Sequence, residues 1–288
     1  MLLKFFLRFS SLQTLNFIAR FVARLINATP DNRMLKKVKV NVSIAYPHLS
    51  TAEQQHISHK IIKNQCITAV ESIKVWSMPP KWSIAQIKQI HNEHILRSAF
   101  QHPNGVLLIL PHIGTWEMMN AWLHQFGTPT IMYKPIKHAR FNQFVLRSRQ
   151  SLNGSLVPTN QQGVKAIFKT LKQGGYSIIL PDHVPHPSGG VYAPFFGKNT
   201  LTSSLTPKMA AKTQCKMVGL SCIRRNDSKG YDIYCYDLSH EDLYAKEPEI
   251  AATALNHELE KMINQFPEHY MWAYKRFRNN ADSSDPYC

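Results

Sequence analysis

Five consecutive apolar residues, Val106-Leu107-Leu108-Ile109-Leu110, run straight into Pro111-His112-Ile113-Gly114-Thr115-Trp116-Glu117. No other stretch of the 288-residue chain narrows its fold as much. A strand-length run with no polar face, bounded by Asn104-Gly105 and Pro111, reads as a strand buried on both sides. Such strands belong to parallel sheets covered by helices. Further strands are expected at 129–134, 155–158, 176–181, 216–223 and 231–238, with helices near 116–126, 138–152 and 161–173. The segment 249–277 also reads as helix. The alternation predicts an α/β fold with a mixed, mostly parallel sheet flanked by helices.

The residues before Asn104 read as helical. Pro30-Asp31-Asn32 ends a first helix, and a second stops near Pro47. Ser50-Thr51 caps a long helix through Trp76, with Gln54 at capping-box spacing from Thr51. Pro79-Pro80 stops it, and a short helix over roughly 83–99 follows. The expected divisions are 1–29, 30–100 and 101–288, the last two forming one continuous domain.

Residues 1–27 are apolar, but Lys4, Arg8, Arg20 and Arg24 interrupt them. The longest uncharged run, Phe9 to Ala19, has eleven residues. A spanning helix needs about 20. On a helical wheel Gln13, Asn16, Arg20, Arg24 and Asn27 fall on one stripe, and Leu15, Ile18, Ala19, Val22 and Ile26 fall opposite. This pattern suits a helix lying in a membrane interface. It also suits a helix packed on the domain's own core. Phe5, Phe6, Phe9, Phe17 and Phe21, with the basic residues Arg33, Lys36, Lys37 and Lys39 just downstream, favour the interface.

The charge is lopsided, with 34 Lys+Arg against 18 Asp+Glu, or +16, so an anionic partner is expected. Nucleic acid is a poor fit. The chain has no zinc-finger spacing, and its aromatics cluster with apolar residues rather than between basic ones. The five cysteines include no CxxC pair, which gives no support to a structural zinc site or a disulfide scaffold.

His112 sits where the buried strand ends and a helix is expected to begin, the usual place for chemistry in an open α/β sheet. Glu117 lies five residues on, about one turn into that helix, where a carboxylate can fold back toward the imidazole. A carboxylate on one ring nitrogen fixes the tautomer and raises the basicity of the other. With no protein nucleophile beside it, such a pair is suited to deprotonating a substrate hydroxyl. Taken alone, the spacing fits a lone helix-start histidine and a surface glutamate better.

Four further segments add to it. They are Tyr133-Lys134-Pro135 followed by Arg149 and Gly154; Pro181-Asp182-His183 followed by Gly190-Val191-Tyr192-Ala193-Pro194-Phe195-Phe196-Gly197; Pro267-Glu268-His269-Tyr270-Met271-Trp272-Ala273-Tyr274-Lys275-Arg276-Phe277-Arg278; and the stretch from Asn41 to Ser50. With His112-x4-Glu117 they resemble, in order, the motifs of the bacterial late lipid A acyltransferases, over about residues 10–278. Lys134 stands where arginine is usual and His183 where glutamine is commoner. After Arg278 the usual Arg-Pro ending gives way to Asn279-Asn280.

The resemblance implies transfer of a fatty acyl chain from acyl carrier protein to a hydroxyl of a lipid A precursor at the cytoplasmic face of the inner membrane. It implies no cofactor and no metal. His112 would be the general base, Glu117 its support, and Arg149 would stabilise the thioester oxyanion or hold an acceptor phosphate. Tyr133, Lys134 and Asp182 would contact substrate, although Asp182 fits a turn or cap equally. The loop from Gly189 to Gly197 would line an acyl groove or plug the core. Lys36, Lys37, Lys39, Lys275, Arg276 and Arg278 are candidates for a cationic face toward the carrier protein, the anionic lipid acceptor and the membrane. An acyltransferase of the same fold acting on another lipid, with acyl-CoA as donor, is the alternative.

Overall fold

The computed structural model describes residues 7–152, 154–282 and 285–288, so Lys4, Phe5 and Phe6 lie outside the described residues. Helix α1 (Leu12–Asn27) is capped by the Ser11 hydroxyl, which accepts from the Thr14 N–H at 3.0 Å. Next come α2 (Arg33–Ala45), capped by Asn32, and the long α3 (Thr51–Ser77). The capping box of α3 is Ser50 with Glu53, one residue earlier than the sequence suggested. Gln54 instead donates to the carbonyls of Tyr46 and Leu49.

The expected helix over 83–99 is three elements: α4 (Pro80–Gln86), β1 (Ile87–His91) and α5 (Glu93–Ala99), with Asn92 left-handed at φ 57° between the last two. Short local periodicity favoured a helix there, but β1 pairs in parallel with a strand over 140 residues further on.

The core then alternates. β2 (Val106–Ile109) leads through a 3-10 turn at Trp116–Met119, α6 (Asn120–Leu123) and a second 3-10 turn to β3 (Thr130–Tyr133). There follow α7 (Ala139–Gln150), β4 (Ser155–Pro158), α8 (Gln161–Lys172) and β5 (Tyr176–Ile179). The loop expected at 189–197 is mostly a β-hairpin, β6 (Gly190–Phe195) with β7 (Lys198–Ser203), turning at Phe196 and Gly197, both at positive φ. The rest is α9 (Leu205–Thr213), β8 (Lys216–Arg224), β9 (Tyr231–Asp237) and α10 (Pro248–Gln265). The helix expected to reach 277 stops at Gln265 because Phe266 leaves the helical region and Pro267 follows.

The main sheet has seven strands in the order β1-β9-β8-β2-β5-β3-β4, parallel except for the β8–β9 pair. Strand β2 is central and wholly buried, as its apolar run required. Leu107 and Ile109 join one core cluster, beneath α2, α8 and α10; Val106, Leu108 and Leu110 join the other, beneath α5 and the 116–126 segment. Truncating such a side chain to alanine costs about 2–5 kcal/mol.

Helix α1 turns one face to the core and another to the surface. Leu15, Ala19 and Ala23 pack inward with Asn16, the two alanines allowing close approach to α3. Phe17, Phe21 and Leu25 point outward, 71%, 56% and 54% exposed, with Ile18 and Val22 beside them. The predicted apolar stripe is thus divided between the interior and the surface. Among the described residues no helix is long and apolar enough to cross a membrane.

Candidate active site

Strands β2 and β5 are parallel neighbours, with Ile109 opposite Ile179, so the loops that follow them emerge side by side. One loop carries His112 and the other Asp182. The Asp182 carboxylate meets His112 Nδ1 at 2.9 and 3.1 Å and accepts the His112 backbone N–H at 3.1 Å. Asp182 is 1% exposed and lies behind the ring. Burial alone would raise its carboxyl. The charge and hydrogen bonds of His112, with His183 beyond, outweigh that and hold it well below the usual carboxylate range. With Nδ1 engaged, Nε2 is the ring nitrogen left for a substrate.

The loop that presents His112 is clamped from both sides. Gly114 N–H donates to the His269 carbonyl, Thr115 N–H to the Cys222 carbonyl, and Met271 N–H to the His112 carbonyl. Gly114 has φ 63°, and a Cβ there would stand 2.1 Å from the Cys222 oxygen, so only glycine fits. Behind the loop, Thr115 Oγ1 donates to Glu71 Oε2 at 2.5 Å. Glu71, fully buried on α3, also receives Arg224 Nε at 2.9 Å and Asn16 Nδ2 at 3.3 Å.

The expectation that Glu117 would support His112 is corrected here. The carboxylate on the imidazole is Asp182, while Glu117, 3% exposed, forms an ion pair with Arg149. The reason is local. Trp116–Met119 is a 3-10 turn rather than the start of an α-helix, and it aims Glu117 at the last turn of α7. Asp182, expected to contact substrate or to cap a turn, is a buried partner of His112. The sequence did contain the signal, since Pro181-Asp182-His183 follows a strand. The adjacency of β5 to β2 was what it lacked.

The Arg149 guanidinium lies over the Tyr133 ring at 5.4 Å, and the Tyr133 hydroxyl donates to Asn142 Oδ1 at 2.6 Å. Lys134 is exposed at the end of β3. His112, Glu117, Tyr133, Lys134 and Arg149 line one cavity of about 480 Å³. Its lining mixes apolar side chains, Leu123, Ile131, Leu156 and Ile178 among them, with the polar Asn120, His124 and Thr159.

Sequence reasoning passed over His183 except as an unusual substitution. Its ring stacks on His112 at 4.0 Å and 6°, and on Tyr274 at 4.0 Å and 18°. Burial first, and then the neighbouring positive charges of His112, Arg276 and Arg278, push it down to about 4, so it is neutral at pH 7. A neutral ring beside His112 adds no second cation to oppose imidazolium formation. Arg276, expected on a cationic face, is 1% exposed and donates to the Leu201 carbonyl and Thr202 Oγ1.

The sequence profile described as Bacterial lipid A biosynthesis acyltransferase matches residues 2–279. The lipid A biosynthesis lauroyltransferase of Escherichia coli K12 is 26% identical over 254 residues, covering 87% of this chain and 81% of that protein. The palmitoleoyltransferase of the same organism is 23% identical over 243 residues, 83% of this chain and 76% of that one. A phosphatidylinositol mannoside acyltransferase of Mycolicibacterium smegmatis is 28% identical over 153 residues, 52% of this chain and 50% of its own length.

Proposed function

The chain belongs to the bacterial lipid A biosynthesis acyltransferase family, and from that premise we propose that it moves a fatty acyl chain from an acyl carrier protein thioester to a hydroxyl of a lipid A precursor. The observation that supports this most directly is the His112–Asp182 pair, with His112 lining a cavity whose exposed surface is largely apolar. An alcohol does not ionise unaided at neutral pH. His112 Nε2 takes its proton as the oxygen attacks the thioester carbonyl, and Asp182 holds Nδ1–H and balances the imidazolium. The tetrahedral intermediate then expels the thiolate, which takes the proton back from His112. A thioester is already activated, so both substrates react directly and no acyl-enzyme is needed.

In this reading Glu117 acts one step removed, by holding Arg149. The guanidinium stabilises the developing oxyanion or holds an acceptor phosphate, with Tyr133 and Lys134 beside it. The net charge of +16 suits an acidic carrier and a phosphorylated acceptor. The outward face of α1, with Arg20 and Arg24 on the same helix, suits attachment at the cytoplasmic face of the inner membrane without crossing it.

The test is a purified reaction with acyl carrier protein thioesters and a lipid A precursor, read by product mass. A mass gain of one acyl chain is expected. Transfer only from acyl-CoA, or only to another lipid, would overturn the assignment. The partial similarity to a phosphatidylinositol mannoside acyltransferase supports another lipid acceptor as the second reading.

A further inference from the structure

Between Glu117 and Asp182 the chain contains no acidic residue. All eighteen Asp and Glu lie outside that stretch, and ten of them fall between Asp227 and Glu268. The stretch itself holds eight Lys and Arg, half of the net +16. It supplies β3, β4 and β5, whereas β9 stands on the opposite side of β2, so charge is sorted across the sheet. Among its described residues only Arg149 has a carboxylate partner, Glu117. Lys134, Lys137, Arg140 and Arg147 are exposed.

Helix electrostatics accounts for some of these cations and not for others. Lys169 and Lys172 lie in the last turn of α8, and Arg147 and Arg149 in the last turn of α7, where a cation suits the helix dipole. Lys137 and Arg140 stand at the other end of α7, one just before it and one in its first turn. A cation there opposes the dipole and an acid would be favoured, yet that turn has no acid. Local stability gives no reason for these two cations. An external anion would.

Their position narrows the choice of anion. Lys134, three residues before Lys137, lines the His112 cavity together with Arg149. A lipid surface takes inserted apolar side chains as well as charge. In this stretch Phe141 is the one large hydrophobic side chain exposed among the described residues, and its ring sets its edge against Trp76 at 5.7 Å. The exposed apolar face belongs to α1 instead. Charge without an apolar surface suits a folded acidic protein.

We propose that Lys137 and Arg140, flanked by Lys134 and Arg147, form the surface on which the acidic acyl carrier protein docks to deliver its thioester to the His112 cavity. The assignment rests on the carrier-protein reading of the donor and goes beyond it by locating the contact. Of the six cations the sequence offered for that role, four are engaged elsewhere. Lys36 pairs with Asp31, Lys275 and Arg278 lie over the Tyr287 and Tyr274 rings, and Arg276 is buried. Lys37 and Lys39 stand on α2, no residue of which lines the His112 cavity.

The test titrates the purified chain with holo acyl carrier protein, which bears the pantetheine arm without an acyl group. Transfer is then measured from dodecanoyl acyl carrier protein and from S-dodecanoyl-pantetheine, which lacks the protein. The double variant Lys137→Glu/Arg140→Glu is compared with the unaltered chain and with Lys169→Glu/Lys172→Glu. The latter makes the same change in net charge at the end of α8 that leads toward the start of β5, away from the cavity. Lys137→Glu/Arg140→Glu is expected to weaken carrier protein at least tenfold, to remove most of the salt dependence, and to raise KM for dodecanoyl acyl carrier protein by a similar factor. Transfer from S-dodecanoyl-pantetheine, KM for the lipid acceptor, flotation with anionic vesicles and the unfolding midpoint stay unchanged. Carrier binding by Lys169→Glu/Lys172→Glu stays within about twofold. If the double variant does not fold, Lys137→Ala and Arg140→Ala decide, each weakening carrier protein about threefold. Absence of carrier binding to the unaltered chain, an equal loss in Lys169→Glu/Lys172→Glu, or a loss of vesicle flotation or acceptor affinity with carrier binding intact would each overturn the proposal. A chain that binds carrier protein as expected but transfers no acyl group would refute the function and leave the docking surface standing. One that transfers from carrier protein equally well with both residues reversed would do the opposite.

Discussion

Lowering the pH from 7 to 5 should destabilise this protein through two buried histidines. His183 and His269 have folded values near 4 and 3, against 6.5 for the free side chain. Depressed values mean that at pH 5 the unfolded chain holds a proton on nearly every one of these rings and the folded chain on few. Stability from such groups is present in full above 6.5 and is lost as pH falls toward the folded values. Integrating the proton difference gives about 2 kcal/mol for each ring at pH 5, and about 4 kcal/mol together. Asp182 works in the same direction, but only below about pH 4. Glu260, raised by burial, opposes the trend. The assay is urea unfolding at pH 7, 6 and 5, with His183→Gln and His269→Gln alongside. Each variant should remove about half of the slope. An unfolding free energy that is flat between pH 7 and 5, or variants with an unaltered slope, would show that these rings are not buried in neutral form.

Other outcomes follow from the same geometry. His112→Ala should lower transfer by about 10²–10⁴-fold with an unchanged unfolding midpoint, and Asp182→Asn should lose a similar factor by supporting the wrong tautomer; near-normal rates in either would refute the proton relay. Arg149→Lys should lose much of the activity because a point charge replaces a planar fork, and Glu117→Gln should do so by releasing the guanidinium; full activity in Arg149→Lys would reduce Arg149 to a simple cation. Deleting residues 1–27 should strip α1 from α3 and lower the unfolding midpoint, since Leu15, Ala19 and Ala23 are buried there. Phe17→Ser with Phe21→Ser should instead leave the midpoint unchanged and weaken binding to anionic vesicles by roughly tenfold to a hundredfold, read by flotation; unchanged flotation would refute an interfacial role for that face.

The parts of this fold that were legible in the sequence are those set by local pattern. The five-residue apolar run marked a doubly covered strand, and the alternation after it gave a mostly parallel sheet. Edge strand β1 was missed because its partner lies far along the chain, and the β6–β7 hairpin because its glycines and prolines read as loop. The same limit governs the site. His112, Glu117, Arg149, Tyr133, Lys134 and Asp182 had all been picked out, His183 and Asn142 had not, and the carboxylate assigned to the imidazole was Glu117 where the structure has Asp182. Spacing along a chain fixes angles only within one regular element. His112 precedes the 3-10 turn that carries Glu117, so their separation in sequence said little about their separation in space. The register of β2 against β5, which brings Asp182 to the imidazole, is a property of the assembled sheet.

The buried Glu71 carboxylate has a consequence for anyone recombining this chain with its relatives. One side chain joins the first helix through Asn16, the central sheet through Arg224 and the loop carrying His112 through Thr115. Three carbonyls at Leu7, Arg8 and Ser10 are gathered by the Lys74 ammonium one turn further along the same helix. The N-terminal segment is therefore not an interchangeable module, although its sequence looks like one. A chimaera that imports a foreign first helix must import matching partners for positions 71 and 74 as well. Otherwise the graft leaves an under-paired carboxylate directly behind the loop that carries His112, and the defect is expected to register there, far from the join.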